Sequence, residues 1–395
     1  MTTEKRAIVL VVDGLGIGSH DNAGPNSLRS LMAHDRYSDK LVQSSVYDDL
    51  CAFVDGRGSP VKSAIVTPAY KGADSYKGHY EMVGIDVGEK STFVHNRLYD
   101  LAMAYTAIEE ISTNVYALQG KYFVSSNIEA ELGTSINLIG DLRRSSWDEL
   151  VREGRRLSAV LKCQRVIVMA SRNVTIAHVL RGVRQRATAT GQIIHGIIPS
   201  LCDLYDKNYM SYHIGRALDS YNVEGNLIDS VLRSGGNVTL VGKVGEILQA
   251  DKAGVTTISA ATSKQTYNHV LHALNTPNRL IFGNFQQVDL MGHAHRPKEG
   301  LHSLLEVCEY IGNIKSQLNP DDLLLVTADH GNDPCSINNA HTRERVPLLI
   351  YGADTIQARE HYDSLSCVSS VVKFHLGIGQ DNGRSIPDPR KLQTI

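Results

Sequence analysis

The sequence predicts an α/β protein in which a central, mostly parallel sheet is sandwiched by helices and interrupted by a smaller inserted α+β domain. Three observations predict it. Short apolar runs of strand type alternate with helical stretches near both ends of the chain. The middle follows a different pattern. Polar, chemistry-bearing residues fall where several apolar runs stop, which is where open α/β sheets place their ligands.

Residues 7–12, Ala-Ile-Val-Leu-Val-Val, are apolar throughout and read as a buried strand. The glycine-rich turn Gly14-Leu15-Gly16-Ile17-Gly18 follows, and residues 26–34 read as a helix. In the middle, residues 98–111 read as a helical run and 122–125 and 165–170 as strands. A charged helix over 146–161 lies between these strands. From about Val223 the alternation resumes. Strands are expected at 238–241, 279–282, 323–326 and 347–351, and helices at 226–233, 263–274 and 300–318. The expected larger domain is therefore 1–94 joined to 221–395, with 95–220 inserted.

Lys plus Arg total 40 and Asp plus Glu 42, a balance that argues against a nucleic-acid or polybasic membrane surface. The apolar run at 7–12 is too short to span a bilayer and carries no signal-peptide pattern. Six scattered cysteines without a Cys-x-x-Cys point to reduced thiols in a cytoplasmic protein, and Cys335 reads as a loop thiol rather than a ligand.

The strongest signal is Thr327-Ala328-Asp329-His330-Gly331-Asn332-Asp333, following the run Leu323-Leu324-Leu325-Val326, with His341 close behind. Three further groups resemble it in chemistry. Asp13 ends the first strand, Ser75 lies in Asp74-Ser75-Tyr76-Lys77-Gly78-His79, and Asp289 and His293 follow the strand near Ile281. Each has an ordinary explanation: a turn aspartate, a capping serine, an i,i+4 helix pair, a capping aspartate beside a core histidine. Taken jointly, three carboxylates, three imidazoles and a hydroxyl are enough for two divalent cations. Two cations would neutralise a phosphate ester, lower the pKa of the attacking hydroxyl and clamp attacking and leaving oxygens. Mixed carboxylate and imidazole ligands suit Mn²⁺ or Zn²⁺ better than Ca²⁺.

These residues resemble the phosphopentomutases of the alkaline phosphatase superfamily. Val12-Asp13-Gly14-Leu15-Gly16-Ile17-Gly18 is similar to that family's opening strand and metal-binding aspartate. Asp74-Ser75 with Gly78-His79-Tyr80-Glu81 is similar to its nucleophile segment. Val241-Gly242-Lys243-Val244 is similar to its Gly-Lys-Ile segment, and Thr327 to Pro334 with His341-Thr342-Arg343-Glu344-Arg345-Val346-Pro347 matches most closely. The resemblance implies an alkaline-phosphatase-like core with a cap domain. It assigns one metal to Asp13, Ser75, Asp329 and His330, and the other to Asp289, His293 and His341. Ser75 would carry phosphate, assisted by Lys243 and His79. The implied metals are two divalent cations, Mn²⁺ foremost and Zn²⁺ or Mg²⁺ as alternatives. The implied reaction moves phosphate between the 1- and 5-positions of ribose or deoxyribose.

Two departures stand out. Serine occupies the position of the family's threonine, which is similar to the Ser-x-x-Gly-His arrangement of cofactor-independent phosphoglycerate mutases. Gly196-Ile197-Ile198-Pro199 and Ser211-Tyr212-His213-Ile214 stand where the family has arginine-bearing segments that hold the distal phosphate. Arg172, with Ser171 and Asn173, is the expected substitute, while Arg181 and Arg184 read as solvated helix residues. The expected partner is a small sugar phosphate, with no nucleic acid and no membrane, and the oligomeric state is left open. The alternatives are a phosphatase, a mutase for another sugar phosphate, and a non-catalytic binding relative.

Overall fold

In the computed structural model the described residues are 5–19, 24–34, 44–55, 61–86, 92–129, 132–188, 191–204, 208–215, 225–248, 250–337, 340–352, 356 and 359–378. The expected boundary at 220/221 lies outside them. The chain divides into two compact units. One comprises Met1–Gly88, Tyr221–Gly245 and Ala250–Ile395, and the other Glu89–Ser220 with Glu246–Gln249.

The chain begins with β1 (Arg6–Val12), α1 (Ser27–Met32), α2 (Ser45–Asp55), β2 (Lys62–Val66) and α3 (Ser75–Met82). The second unit then contributes α4 (Leu98–Ala104), β3 (Ile108–Ser112), β4 (Val115–Leu118), β5 (Tyr122–Ser126), β6 (Ser135–Asp141), α5 (Trp147–Leu161), β7 (Arg165–Ser171), α6 (Ile176–Arg181), β8 (Val183–Ala187), β9 (Ile193–Ile197) and β10 (Met210–Gly215). After it come α7 (Leu227–Arg233), β11 (Asn237–Val241), α8 (Lys243–Leu248), β12 (Val255–Ile258), α9 (Ser263–Leu274), β13 (Asn278–Phe285), α10 (Gln287–His293), α11 (Pro297–Lys315), β14 (Asp322–Thr327), β15 (Val346–Gly352), β16 (His361–Tyr362) and α12 (Cys367–Leu376).

The first unit is built on an eight-stranded sheet of order β12-β11-β13-β1-β14-β15-β2-β16. Pairing is parallel from β12 to β14 and between β2 and β16, and antiparallel on either side of β15. Every residue of β1 and β14 is buried, the burial that unbroken apolar runs such as Ile8-Val9-Leu10-Val11-Val12 require. The helices over this sheet form two mutually packed groups. Helix α12 touches α3, α7, β1 and β14, while α11 touches α1, α2, α9 and α10. Among the described residues no helix is long and apolar enough to cross a membrane.

One internal polar contact anchors β1 to β14. Arg6 Nη2 donates to Asp322 Oδ2 at 2.6 Å and Nε to Oδ1 at 3.2 Å, both residues being buried. Asp322→Ala would strand the guanidinium away from water. The expected cost is about 3–5 kcal/mol, read from the urea midpoint.

The second unit holds a six-stranded sheet of order β10-β7-β6-β5-β4-β3 and a two-stranded β8-β9 sheet. Only β6 and β7 are parallel within it, joined by α5, whose N-cap Ser146 accepts from Glu149 N. The helical run expected over 98–111 is corrected here. Helix α4 stops at Ala104, Tyr105 adopts extended backbone angles, and residues 108–112 pair antiparallel with β4. Cross-strand pairing of Ile108 with Leu118 and of Ser112 with Val115 overrides the helical spacing. All six cysteines are free thiols.

Candidate metal centre

Four adjacent parallel strands, β11, β13, β1 and β14, end on the same side of the sheet. At or just past their carboxyl ends stand Lys243, Asn284 with Asp289, Asp13, and Asp329 with His330. Sheet order thereby gathers residues from four distant stretches, as the general rule for open α/β sheets requires. Ser75 is the first residue of α3, whose N-cap Asp74 accepts from Lys77 N. His341 reaches the same side on a loop that pairs Thr342 with Gly331 through two backbone hydrogen bonds of 3.1 and 2.8 Å.

Two ligand-like clusters result, Asp13-Asp329-His330 and Asp289-His293-His341. In the first, His330 Nε2 lies 3.2 Å from Asp329 Oδ2 and 3.5 Å from Asp13 Oδ1. His330 Nδ1 donates to Gly331 O at 3.1 Å, which leaves Nε2 as the nitrogen that faces the carboxylates. Ser75 Oγ donates to Asp329 Oδ2 in a short hydrogen bond. In the second, His293 Nε2 is 3.4 Å from Asp289 Oδ2 and His341 Nε2 is 3.5 Å from Asp289 Oδ1. The two imidazole Nε2 atoms face each other at 3.0 Å, and the His341 ring stacks on His330 with centroids 3.8 Å apart. Lys243 Nζ spans the clusters, 2.8 Å from Asp13 Oδ2 and 3.9 Å from Asp289 Oδ2.

These donors fit divalent cations. Asp13 Oδ1 and His330 Nε2 are buried without a hydrogen-bond partner among the described residues, a costly arrangement unless a cation takes their lone pairs. Burial and the neighbouring Asp329 raise Asp13 to about 7. Burial works against a charged His330, but Asp329 outweighs it and lifts the imidazole to about 10, so a cation bound at Nε2 would displace a proton there. Burial, reinforced by His330, pushes His341 down to about 3. Burial opposes ionisation of Asp289, yet Lys243 and the His293 hydrogen bond hold it well below the usual carboxylate range.

The sequence family described as the Metalloenzyme superfamily matches residues 226–378. The phosphopentomutase of Rhizobium meliloti is 29% identical over 47% of this chain and 52% of its own, so that match spans about half of the relative. Those of Herpetosiphon aurantiacus and Symbiobacterium thermophilum are 24% and 26% identical, each over 89% of both chains. The chain is thus similar to phosphopentomutases along most of its length, and its residues 226–378 match the Metalloenzyme superfamily. Its fold is shared with solved structures of a Pyrococcus horikoshii protein (TM-score 0.51, 13% identity, covering 97% of this chain and 100% of that one) and of a Leishmania mexicana phosphoglycerate mutase (TM-score 0.51, 14% identity, covering 96% and 97%).

Of the remaining candidates, His79 is fully buried. Its Nδ1 contacts Ser75 O at 2.8 Å, and burial lowers its pKa. Cys335 is exposed and belongs to neither cluster. Arg172, Ser171 and Asn173 lie in the second unit, at the end of β7. Sequence reading missed several supporting residues. Asn284 Nδ2 donates to Asp13 Oδ2 at 2.9 Å, and Asn332 Nδ2 donates to Asp289 Oδ1 at 2.8 Å. Glu81 accepts from Ala69 N, Tyr70 N and Leu365 N, and the Tyr70 hydroxyl donates to Asp329 O at 2.6 Å. Their only signal was position inside motifs or at a strand end, since an amide or carboxylate that holds another residue carries no periodicity of its own.

Proposed function

We propose that this enzyme is a phosphosugar mutase that moves phosphate between the 1- and 5-positions of a pentose phosphate through a phosphoserine at a two-metal site. The observation that carries it is the Ser75 hydroxyl hydrogen-bonded to Asp329 within the Asp13-Asp329-His330 cluster. Similarity to phosphopentomutases along 89% of the chain supports the substrate class.

Two divalent cations held by Asp13, Ser75, Asp329 and His330 and by Asp289, His293 and His341, with Mn²⁺ foremost, would neutralise phosphate charge and acidify the serine hydroxyl. The chain's own residues do the rest. Asp329 Oδ2 orients the Ser75 hydroxyl. Ser75 opens α3, so a phosphate on its oxygen meets the positive end of the helix. Lys243 keeps its proton, because Asp13 and Asp289 outweigh its burial, and offsets carboxylate charge. In the reaction the phosphoserine P–O bond breaks as a bond forms to the free sugar hydroxyl. Ser75 then takes the other phosphate from the bisphosphate. Incubating the Mn²⁺-loaded enzyme with ribose 5-phosphate tests this: accumulation of the 1-phosphate supports a mutase, and release of free phosphate alone supports a phosphatase.

A specific observation favours a changed grip on the sugar phosphate. Ile197, in the stretch that replaces an arginine-bearing segment, is wholly buried in an apolar cluster with Val115, Met169 and Val179. A Cβ at the preceding Gly196 would lie 2.4 Å from Ser126 O. A charged side chain has no room at Gly196 or Ile197, so we assign the sugar-phosphate contacts to Arg172, Ser171 and Asn173. Asn173 adopts a left-handed backbone (φ 68°), and its N–H donates to Asp141, which Arg143 also engages. Arg172→Ala should raise KM about 10-fold or more with kcat little changed, as loss of a charge-assisted phosphate contact implies. Reduced thiols and a small phosphorylated substrate accord with a cytoplasmic setting.

A further inference from the structure

The invariably polar environment of Glu344 is not used by the mechanism above. It lies in the His341-Thr342-Arg343-Glu344 segment and is 3% exposed, and its hydrogen bonds below go to residues other than the candidate metal ligands. Its carboxylate accepts four hydrogen bonds: from Gly18 N and Ser27 N at 3.0 Å each, from Ser27 Oγ at 2.7 Å and from Thr342 Oγ1 at 2.6 Å. The backbone closes on it from two sides. A Cβ at Gly16 would lie 2.2 Å from Oε2, and one at Gly331 would lie 2.3 Å from Oε1. Both glycines are thus required by close approach to this carboxylate.

The bonds lead to one cluster. Thr342 adjoins His341. Ser27 Oγ, while donating to Glu344, accepts from Asn332 N at 2.9 Å, and the Asn332 amide donates to Asp289 Oδ1 and O. Both routes reach the Asp289-His293-His341 group, and the network also borders the other, since Asn332 N donates to Gly14 O at 2.9 Å and Thr342 N to Gly331 O at 2.8 Å. The other group depends less on this network, because Asp13 and Asp329 follow directly from paired strands β1 and β14. From this geometry we infer that Glu344 is a positioning residue that sets the second cation site, holding Asp289 and His341 at mutual ligand distance through Asn332 and Thr342. An amide keeps an oxygen for the Gly18 and Ser27 N–H groups but turns its NH₂ to the Ser27 and Thr342 hydroxyls, which reverses both of those hydrogen bonds and removes the negative charge. The inference rests on the two-cation reading.

The test is titration of metal-free protein with Mn²⁺, followed by calorimetry for the two binding steps and by electron paramagnetic resonance for the spin-coupled pair. Wild type should bind two ions per chain. Glu344→Gln should weaken the second step about 10- to 100-fold, the range for residues that hold metal ligands in place, and lose the coupled signal while the first step is retained. Ser27→Ala, a milder change that breaks the same route at Asn332, should weaken the second step in the same selective way, and it decides the matter if Glu344→Gln does not fold. Equal weakening of both steps, or none, in Ser27→Ala and in any folded Glu344→Gln overturns the role of Glu344 while leaving two-cation binding intact. Fewer than two ions on wild type overturns the two-cation reading and this inference with it.

Discussion

Ser75→Ala should lower phosphosugar isomerisation by about 10⁴-fold or more and abolish covalent labelling by phosphate, since losing a nucleophile removes the covalent route itself. The fold should survive. Ser75 is the first residue of α3, and alanine keeps helical backbone there. What disappears is the one hydroxyl hydrogen-bonded to Asp329 Oδ2. Asp329 keeps Gly14 N as a donor to Oδ1 at 3.2 Å and His330 beside Oδ2, so cations should still bind. Loss of turnover with retained metal would separate a nucleophile from a structural serine. A variant retaining wild-type turnover would end the phosphoserine mechanism.

Removing metal should be nearly as severe. Treatment with a chelator is expected to abolish turnover and to lower the melting temperature by several degrees, with both restored by Mn²⁺. The physical reason is the crowding of Asp13, Asp289 and Asp329 into a buried site where Lys243 is the nearest fixed cation. A cation at 100 times its Kd contributes about 2.7 kcal/mol to the folded state, and two contribute more. Asp329→Asn should remove most of that response, because Asp329 also orders Ser75 and Gly14. Unchanged melting and activity after exhaustive chelation would sink the two-metal reading.

Much of the larger unit was legible because its central strands are continuous apolar runs. β1 and β14 are buried along their whole length, and burial on both faces demands such runs. The second unit was harder to read. β6 (Ser135–Asp141) is fully buried yet includes Ser135, Asn137, Gly140 and Asp141, and Asn137 is satisfied only by Asn127, Ser125 and Ile197 O, contacts that no local pattern announces. β8 shows mostly exposed side chains, so its apolar alternation never emerges. The helical spacing of 98–111 misled because hairpin pairing with β4, the next strand across the Thr113-Asn114 turn, decided the second half.

The residue types that do chemistry, and the strand ends that carry Asp13 and Asp329, were determined by the sequence itself. A strand and the residue just past it are local events, set by a handful of neighbouring side chains. Their assembly was decided by tertiary structure alone. The contact between Lys243 and Asp13 joins positions 230 apart, and the Ser27–Glu344 contact joins positions 317 apart. The strand order β11-β13-β1-β14 sets both which ends meet and how the ligands divide into two clusters. Which nitrogen of His330 faces the carboxylates depends on where Gly331 O lies after folding. Such distances depend on how separate segments pack, and no stretch of sequence holds them by itself.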